Sequence, residues 1–176
     1  SAQYESYTAE VRAIRAMYYF YIMDLFGRVP LVTSYSKTPE TTGQTERSAT
    51  YAFILNELNA ALPYLSMERS NYVGAYYGRV TKPVVWFLLA KLYLNAEVYA
   101  DDDWTDAHRP SGSSLFFQVD GQKLNAWQAT IAYCKKLTAA GYSLEANPAK
   151  NFSVQNETSV ENIFVIPMDK LLYANQ

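Results

Sequence analysis

Apolar residues recur at steps of three and four from about Tyr4 to Phe26, at Val11, Ile14, Tyr18, Ile22 and Leu25, and this spacing predicts a first helix buried along that stripe. The opposite side carries Ala13, Ala16, Met17 and Phe20, so the helix is expected to be packed on more than one side. Gly27 offers a left-handed cap and Pro30 prevents continuation. From Thr33 to Thr50 the chain turns polar around Pro39 and Gly43 and reads as a loop. Tyr51, Ile54, Leu55, Leu58 and Leu62 then carry a second helix over about 49–62, closed by Pro63. Tyr72, Tyr76 and Tyr77 stand between glycines in a further loop over 66–80. Thr81 is a suitable N-cap for a third helix over about 81–99, with Pro83 tolerated in the first turn and Val85, Leu88, Leu89, Leu92 and Ala96 as its buried stripe.

The segment from Asp101 to Gly121 interrupts the helices, with a short extended piece at Leu115-Phe-Phe117. Asn125 with Gln128 resembles a capping box for a fourth helix over about 125–140, which stops at Gly141. The region 141–176 reads as irregular, apart from Asn162-Ile-Phe-Val-Ile-Pro167, a short apolar run closed by proline that suits a strand. An isolated strand needs a partner, so this one is expected to belong to a larger fold. The helices form two antiparallel pairs in order, like stacked helical hairpins, although no clean 34-residue repeat is present.

Composition narrows the function more than the fold. The 176 residues fall within the single-domain range, and with 49% apolar residues a sizeable core is possible. A net charge of -2 with scattered signs argues against a nucleic-acid partner. Sixteen tyrosines suit interfaces and sugar-contacting surfaces as well as half-buried core positions. Cys134 is alone, which excludes an internal disulfide and a cysteine-based metal site, and its helical setting suits a small buried hydrophobe. No uncharged apolar run reaches eighteen residues, so the chain as given reads as soluble, with any signal peptide or lipid anchor lying outside it.

Candidate chemistry is sparse. Asp101-Asp-Asp-Trp-Thr-Asp106 could wrap a calcium ion, but the glycine and distal glutamate of the twelve-residue calcium loop are missing, and a solvated loop is the simpler reading. His108 has no nucleophile in a recognisable context. Glu57, Asp101, Asp103 and Glu161 could supply paired carboxylates to a glycosidase, but serve equally as surface charge. Phosphate loops, dinucleotide fingerprints and HExxH helices are absent, so neither a cofactor nor an enzyme is expected. Trp104 among four aspartates could stack on a sugar ring or plug the end of the third helix.

One stretch, Arg12-Ala-Ile-Arg-Ala-Met-Tyr-Tyr-Phe20 continuing through Asp24-Leu-Phe-Gly-Arg-Val-Pro-Leu-Val32, resembles the helix-turn signature of the SusD/RagB family, outer-membrane nutrient-binding lipoproteins of Bacteroidetes. Tyr51-Ala-Phe-Ile-Leu-Asn-Glu-Leu58, Gly78-Arg-Val-Thr-Lys82 leading into Leu89-Ala-Lys-Leu-Tyr-Leu94, and Glu161-Asn-Ile-Phe-Val-Ile166 follow in the family's order. The resemblance implies a mainly α fold of tetratricopeptide-like antiparallel helix pairs, with long loops and a short C-terminal strand, as a partial SusD-like domain over 1–176. It also implies a lipid-anchored surface protein that captures oligosaccharide or another nutrient, without catalytic residues or cofactor, and passes it to a TonB-dependent outer-membrane transporter of the SusC type. The lipid anchor and much of the glycan surface are expected outside this chain.

By the same resemblance Arg12 and Arg15 pair with acids or backbone carbonyls, Tyr18, Tyr19 and Phe20 pack between repeats, and Gly78 with Arg79 sets up the third helix. Ligand contact is assigned to the loop aromatics Tyr72, Tyr76, Tyr77 and Trp104, which match no fixed binding motif. Two alternatives stand beside this reading: a helical scaffold that mainly contacts the transporter, and a glycan-cleaving enzyme.

Overall fold

The computed structural model describes residues 1–35, 42–103 and 105–168. Helix α1 spans Ala2–Phe26 and ends at Gly27, whose backbone lies at φ +70° and whose N–H bonds the Met23 carbonyl. A side chain would be strained in that left-handed turn, which explains the glycine. Helix α2, Arg47–Ala61, returns antiparallel along α1. The direction is set by paired groups at successive levels: Tyr19 meets Phe53 edge to face at 5.4 Å, and Arg12 bonds Glu57 at 2.8 Å.

The buried face of α1 is Ala9, Ala13, Ala16, Met17, Phe20 and Met23. The stripe expected to be buried is instead the outer one, with Val11, Ile14, Tyr18 and Leu25 exposed and Ile22 half-buried. The cause is the close approach of two helix backbones: alanines let α2 approach, and the larger side chains point away. Tyr18 therefore does not pack between the pairs, whereas Phe20 does and Tyr19 is half-buried. The Tyr19 hydroxyl donates to the Val32 carbonyl and accepts from the Val32 N–H, each at 2.9 Å, which ties the chain beyond Pro30 back onto α1.

Helix α3 covers Lys82–Leu94 and helix α4 covers Ala96–Tyr99. A continuous helix over 81–99 is thus interrupted at Asn95, whose side-chain amide bonds the Lys91 carbonyl at 3.0 Å and whose backbone leaves the helical region. The stripe Val85, Leu88, Leu89, Leu92 and Ala96 is buried. Next comes a hairpin of β1, Phe116–Val119, and β2, Gln122–Asn125, paired antiparallel with Val119 opposite Gln122. Asp120 and Gly121 both have positive φ, 51° and 78°, as a two-residue hairpin turn of this hand requires.

Helix α5, Ala126–Ala139, opens on a complete capping box: the Gln128 N–H donates to the Asn125 side chain at 2.9 Å and the Asn125 N–H to the Gln128 side chain at 3.0 Å. It pairs with α3, and the seam is aromatic. Tyr93 stacks on Tyr133 at 5.8 Å and meets Phe117 of β1 at 4.6 Å. Tyr51 joins the two pairs by donating its hydroxyl to the Leu92 carbonyl at 3.0 Å, and burial pushes its pKa well above the ordinary tyrosine value. Among the described residues, the tyrosines at 51, 93, 99 and 133 belong to the central core cluster, and Tyr142 is also buried. Cys134, expected to be buried, is exposed, because α5 turns Tyr133 and Leu137 inward instead.

The chain from Tyr142 to Met168 crosses the ends of both pairs without regular structure apart from a 3-10 turn at Pro148–Phe152. The strand expected at Asn162–Pro167 is not one: among the described residues it pairs with no ladder. Side chains anchor the approach to it. Asn71 donates to the Ser159 carbonyl at 2.8 Å, Glu145 accepts from the Val160 N–H at 2.9 Å, and the Ser159 hydroxyl accepts from the Asn162 N–H at 3.2 Å. Gly78 lies under Pro167, where an added Cβ would stand 2.6 Å from the proline ring.

Candidate ligand-binding surface

The loop between α2 and α3 is built as a closed unit. The Lys82 N–H bonds the Ser66 carbonyl and the Gly78 N–H bonds the Ser70 carbonyl, each at 2.8 Å, so both ends are pinned while the tip projects. Ser70 and Asn71 are buried at its base, and Tyr72 and Val73 are exposed at its tip. Two arginines of the same loop back its tyrosines, and the groups that hold those arginines lie elsewhere in the chain.

Arg69 is held by the Gly141 carbonyl at 2.6 Å and lies between two rings, 3.8 Å from the Tyr142 centroid and 4.9 Å from that of Tyr72. Arg79 is held by both carboxylate oxygens of Glu10, Nε at 3.1 Å from one and Nη2 at 2.5 Å from the other, and its guanidinium lies 4.8 Å from the Tyr76 ring. The hydrogen bonds that Arg79 donates to Glu10 raise its pKa further. Each ring is thus backed by a guanidinium that is itself fixed, an arrangement that reduces the ordering cost of presenting an aromatic face.

Tyr72 and Tyr76 share a hollow of ≈ 450 Å³ lined also by Met67, Arg69 and Val73. Tyr77 is not part of it; it lines a neighbouring hollow of ≈ 420 Å³ with Asn156 and Pro167. Trp104 lies outside the described residues. A larger cleft of ≈ 680 Å³ runs between α1, α3 and the final segment, with Tyr21, Phe87, Phe152 and Phe164 on its walls beside Glu161 and Asn162. Those aromatics come from four separate stretches of sequence, so helix periodicity alone could not unite them.

The acidic run is engaged in local structure. Asp102 accepts from the Ser48 N–H at 2.9 Å and its hydroxyl at 2.5 Å, and so caps α2 from 54 residues away. Asp103 accepts from the Thr105 N–H and hydroxyl, and Asp106 from the His108 N–H. Among the described residues no group of three acidic, histidine or cysteine side chains is placed to hold a metal, and no helix is long and apolar enough to cross a membrane.

Three of the four carboxylates considered for glycoside cleavage, Glu57, Asp103 and Glu161, are likewise held by hydrogen bonds. Glu57 is clamped by Arg12 and Arg15: burial pushes its pKa up, but the two arginine hydrogen bonds outweigh that and hold it below the usual carboxylate range. Hydrogen bonds from Thr105 lower Asp103, and the Glu145 N–H with Asn151 lowers Glu161. A general acid for that reaction needs its pKa raised, the opposite direction.

No family model matches the sequence. The chain is 37% identical over 149 residues to the starch-binding protein SusD of Bacteroides thetaiotaomicron, a match covering 85% of this chain and 22% of that protein. Among solved structures it superposes on a laminarin-binding SusD-like protein with a TM-score of 0.66 at 24% identity, over 93% of this chain and 31% of that one. A SusD-like protein of Bacteroides fragilis gives a TM-score of 0.66 at 21% identity, over 93% and 27% of the two chains. A SusD homologue of Bacteroides thetaiotaomicron gives 0.59 at 24% identity, over 85% and 26%.

The two helix pairs, the hairpin and the irregular crossing segment are therefore those of a SusD-like fold. The chain belongs to the SusD/RagB family and spans less than a third of the length of the relatives it matches.

Proposed function

We propose that this protein binds glycan at the outer-membrane surface, as part of a lipid-anchored capture protein that delivers oligosaccharide to a TonB-dependent transporter of the SusC type, and that it cleaves no bond. The observation that carries the reading is the 37% identity to a starch-binding protein across 85% of the chain. The proposed binding surface includes the hollow of Tyr72 and Tyr76 with Tyr77 beside it; Trp104, which lies outside the described residues, is proposed from the sequence as a further stacking residue. A sugar lays its apolar face on a tyrosine ring while its hydroxyls meet the phenol and the polar rim, a mixture to which fixed rings are suited.

Calorimetric titration with maltooligosaccharide and laminarin oligosaccharide tests the site. Tyr72→Ala and Tyr76→Ala are each expected to weaken binding roughly tenfold, equivalent to about 1.4 kcal/mol, without loss of helical signal. Unchanged affinity in both variants would remove the hollow from the binding surface, and loss only in Trp104→Ala would move the site to the acidic segment. Affinity purification from gently solubilised outer membranes tests the delivery step. A stoichiometric barrel is the expected companion, and isolation of the protein alone, where other outer-membrane complexes survive, counts against it.

A further inference from the structure

Glu145 and Glu161 hold one another's backbone. The Glu145 N–H donates to the Glu161 carboxylate at 2.9 Å, and the Val160 N–H, one position before Glu161, donates to the Glu145 carboxylate at 2.9 Å. The Ser143 N–H adds a bond to the Val160 carbonyl at 3.2 Å. This is the reciprocity of a capping box spread over 16 positions, with each carboxylate satisfying a backbone donor that has no helix or ladder to join. Inside the loop so closed, the Asn151 amide donates to Glu161 at 2.8 Å and Lys150 pairs with Glu145 at 3.1 Å. All of these bonds lie within 143–162, so they do not depend on what covers the outer surface of the chain.

The attachment of this segment to the rest of the fold is polar as well. Asn71 donates to the Ser159 carbonyl at 2.8 Å and Arg69 to the Val160 carbonyl at 3.4 Å. Among the described residues, the core cluster takes none of its buried members from 143–162, whereas Ile163 and Phe164, just beyond, do pack against it. A segment held by directional bonds and little buried apolar area opens at lower free energy than the helices it crosses. It also forms one side of the ≈ 680 Å³ cleft, which Leu144, Phe152 and Glu161 line together with Tyr21 and Phe87.

We infer that residues 143–162 form a strap, closed by the reciprocal carboxylates of Glu145 and Glu161, that opens as one unit in acid while the helix pairs stay folded, and so unfastens one wall of the cleft. The Val160 N–H and then Lys150 hold the Glu145 carboxyl below its ordinary range. The Glu145 N–H and then Asn151 do the same for Glu161, against smaller upward pushes from desolvation and the Glu145 charge. Arg69 at the Val160 carbonyl and Lys91 in the cleft add positive charge nearby, and Glu157, whose carbonyl accepts from Asn71, adds negative charge. Both folded pKa values lie below the ordinary one, about 4.3, so the latch is complete above that value and is lost as pH falls through the folded ones. The inference is independent of glycan binding.

Amide hydrogen exchange of the full chain, expressed as protection relative to an unstructured peptide at each pH, tests the strap. Between about pH 6 and about pH 3.5, protection at Glu145 and Val160 should fall roughly tenfold or more while α3 and α5 keep theirs. In Glu145→Gln with Glu161→Gln, protection of the strap should be low at both pH values and no longer change between them. Opening as a unit is read from single variants. Glu145→Ala removes the acceptor of the Val160 N–H alone, yet the amide at position 145, which bonds Glu161, should quicken with it; Glu161→Ala should likewise quicken Val160. Quickening confined to the directly bonded amide in each variant would overturn the single unit. Strap and helices losing protection together in acid, a wild-type strap indifferent to pH, or an acid response that survives in the double variant would each overturn the acid release.

Discussion

The two helix pairs reach similar burial by different chemistry. Between α1 and α2 the closest approach is small and aliphatic, Ala9, Ala13 and Ala16 with Leu55, Leu58 and Ala61 buried, with Tyr19 against Phe53 as a single aromatic contact and two arginines converging on Glu57. Between α3 and α5 the filling is aromatic, with Tyr93 stacked on Tyr133 and braced by Phe117 from the hairpin. Small residues bring backbones together but bury little area each, so the first pair depends on a directional polar clamp. The second relies on ring area and is insensitive to ionisation in the physiological range, because burial raises the pKa of both tyrosines.

The sharpest way to break this contrast is at Tyr93, which is 1% exposed. Tyr93→Ala removes a ring from the centre of the stack and leaves a cavity, so we expect a loss of about 3–5 kcal/mol in denaturant unfolding. Tyr93→Phe keeps the ring and should cost much less. If the two variants are equally damaging, hydroxyl bonding holds the second pair and the contrast fails.

A smaller effect is expected at the clamp. Glu57→Gln keeps the shape but removes the charge shared by two guanidiniums, and about 2 kcal/mol is expected for hydrogen bonds to charged groups, moderated by the solvent exposure of both arginines. The folded Glu57 pKa lies below its ordinary value, so the clamp stabilises fully above that ordinary value, about 4.3, and the contribution is lost as pH falls through the lower folded value. Unfolding curves of the wild type and Glu57→Gln should therefore differ at pH 7 and converge below about pH 4. A gap that persists undiminished at pH 3 would mean that shape, not charge, is what Glu57 supplies.

How legible these regions are in the sequence follows from how local their causes are. The capping box from Asn125 to Gln128 is a four-residue motif, and the buried stripe of α3 follows one period, so both are legible locally. The hairpin is carried by Asp120-Gly121, a turn signal between Val119 and Gln122, and not by the Phe-Phe pair before it. The buried side of α1 was misread because period cannot tell which of two apolar faces is inside; the alanines, as markers of close helix approach, could have decided it. For the tyrosine hollow the loop was legible, but Arg69 is fixed by Gly141 and Tyr142, more than 70 positions away, and nothing local announces that partnership.

The last difference between the pairs lies in how their second helices begin. α5 is capped by its own neighbours, whereas the α2 terminus takes its carboxylate from Asp102 across the fold. Asn125→Ala and Asp102→Ala should each cost about 1 kcal/mol, the usual size of a lost cap. Their side effects should differ. Removing Asn125 frays only the first turn of α5, while removing Asp102 also frees the chain after α4, where Arg47 bonds the Asp101 carbonyl at 2.7 Å. Amide hydrogen exchange should thus quicken at residues 48–50 and 101–103 together in Asp102→Ala, and near 126–128 alone in Asn125→Ala. Exchange that quickens at 48–50 but not at 101–103 would show that the acidic segment is fixed independently of α2, leaving its aspartates available for a role beyond capping.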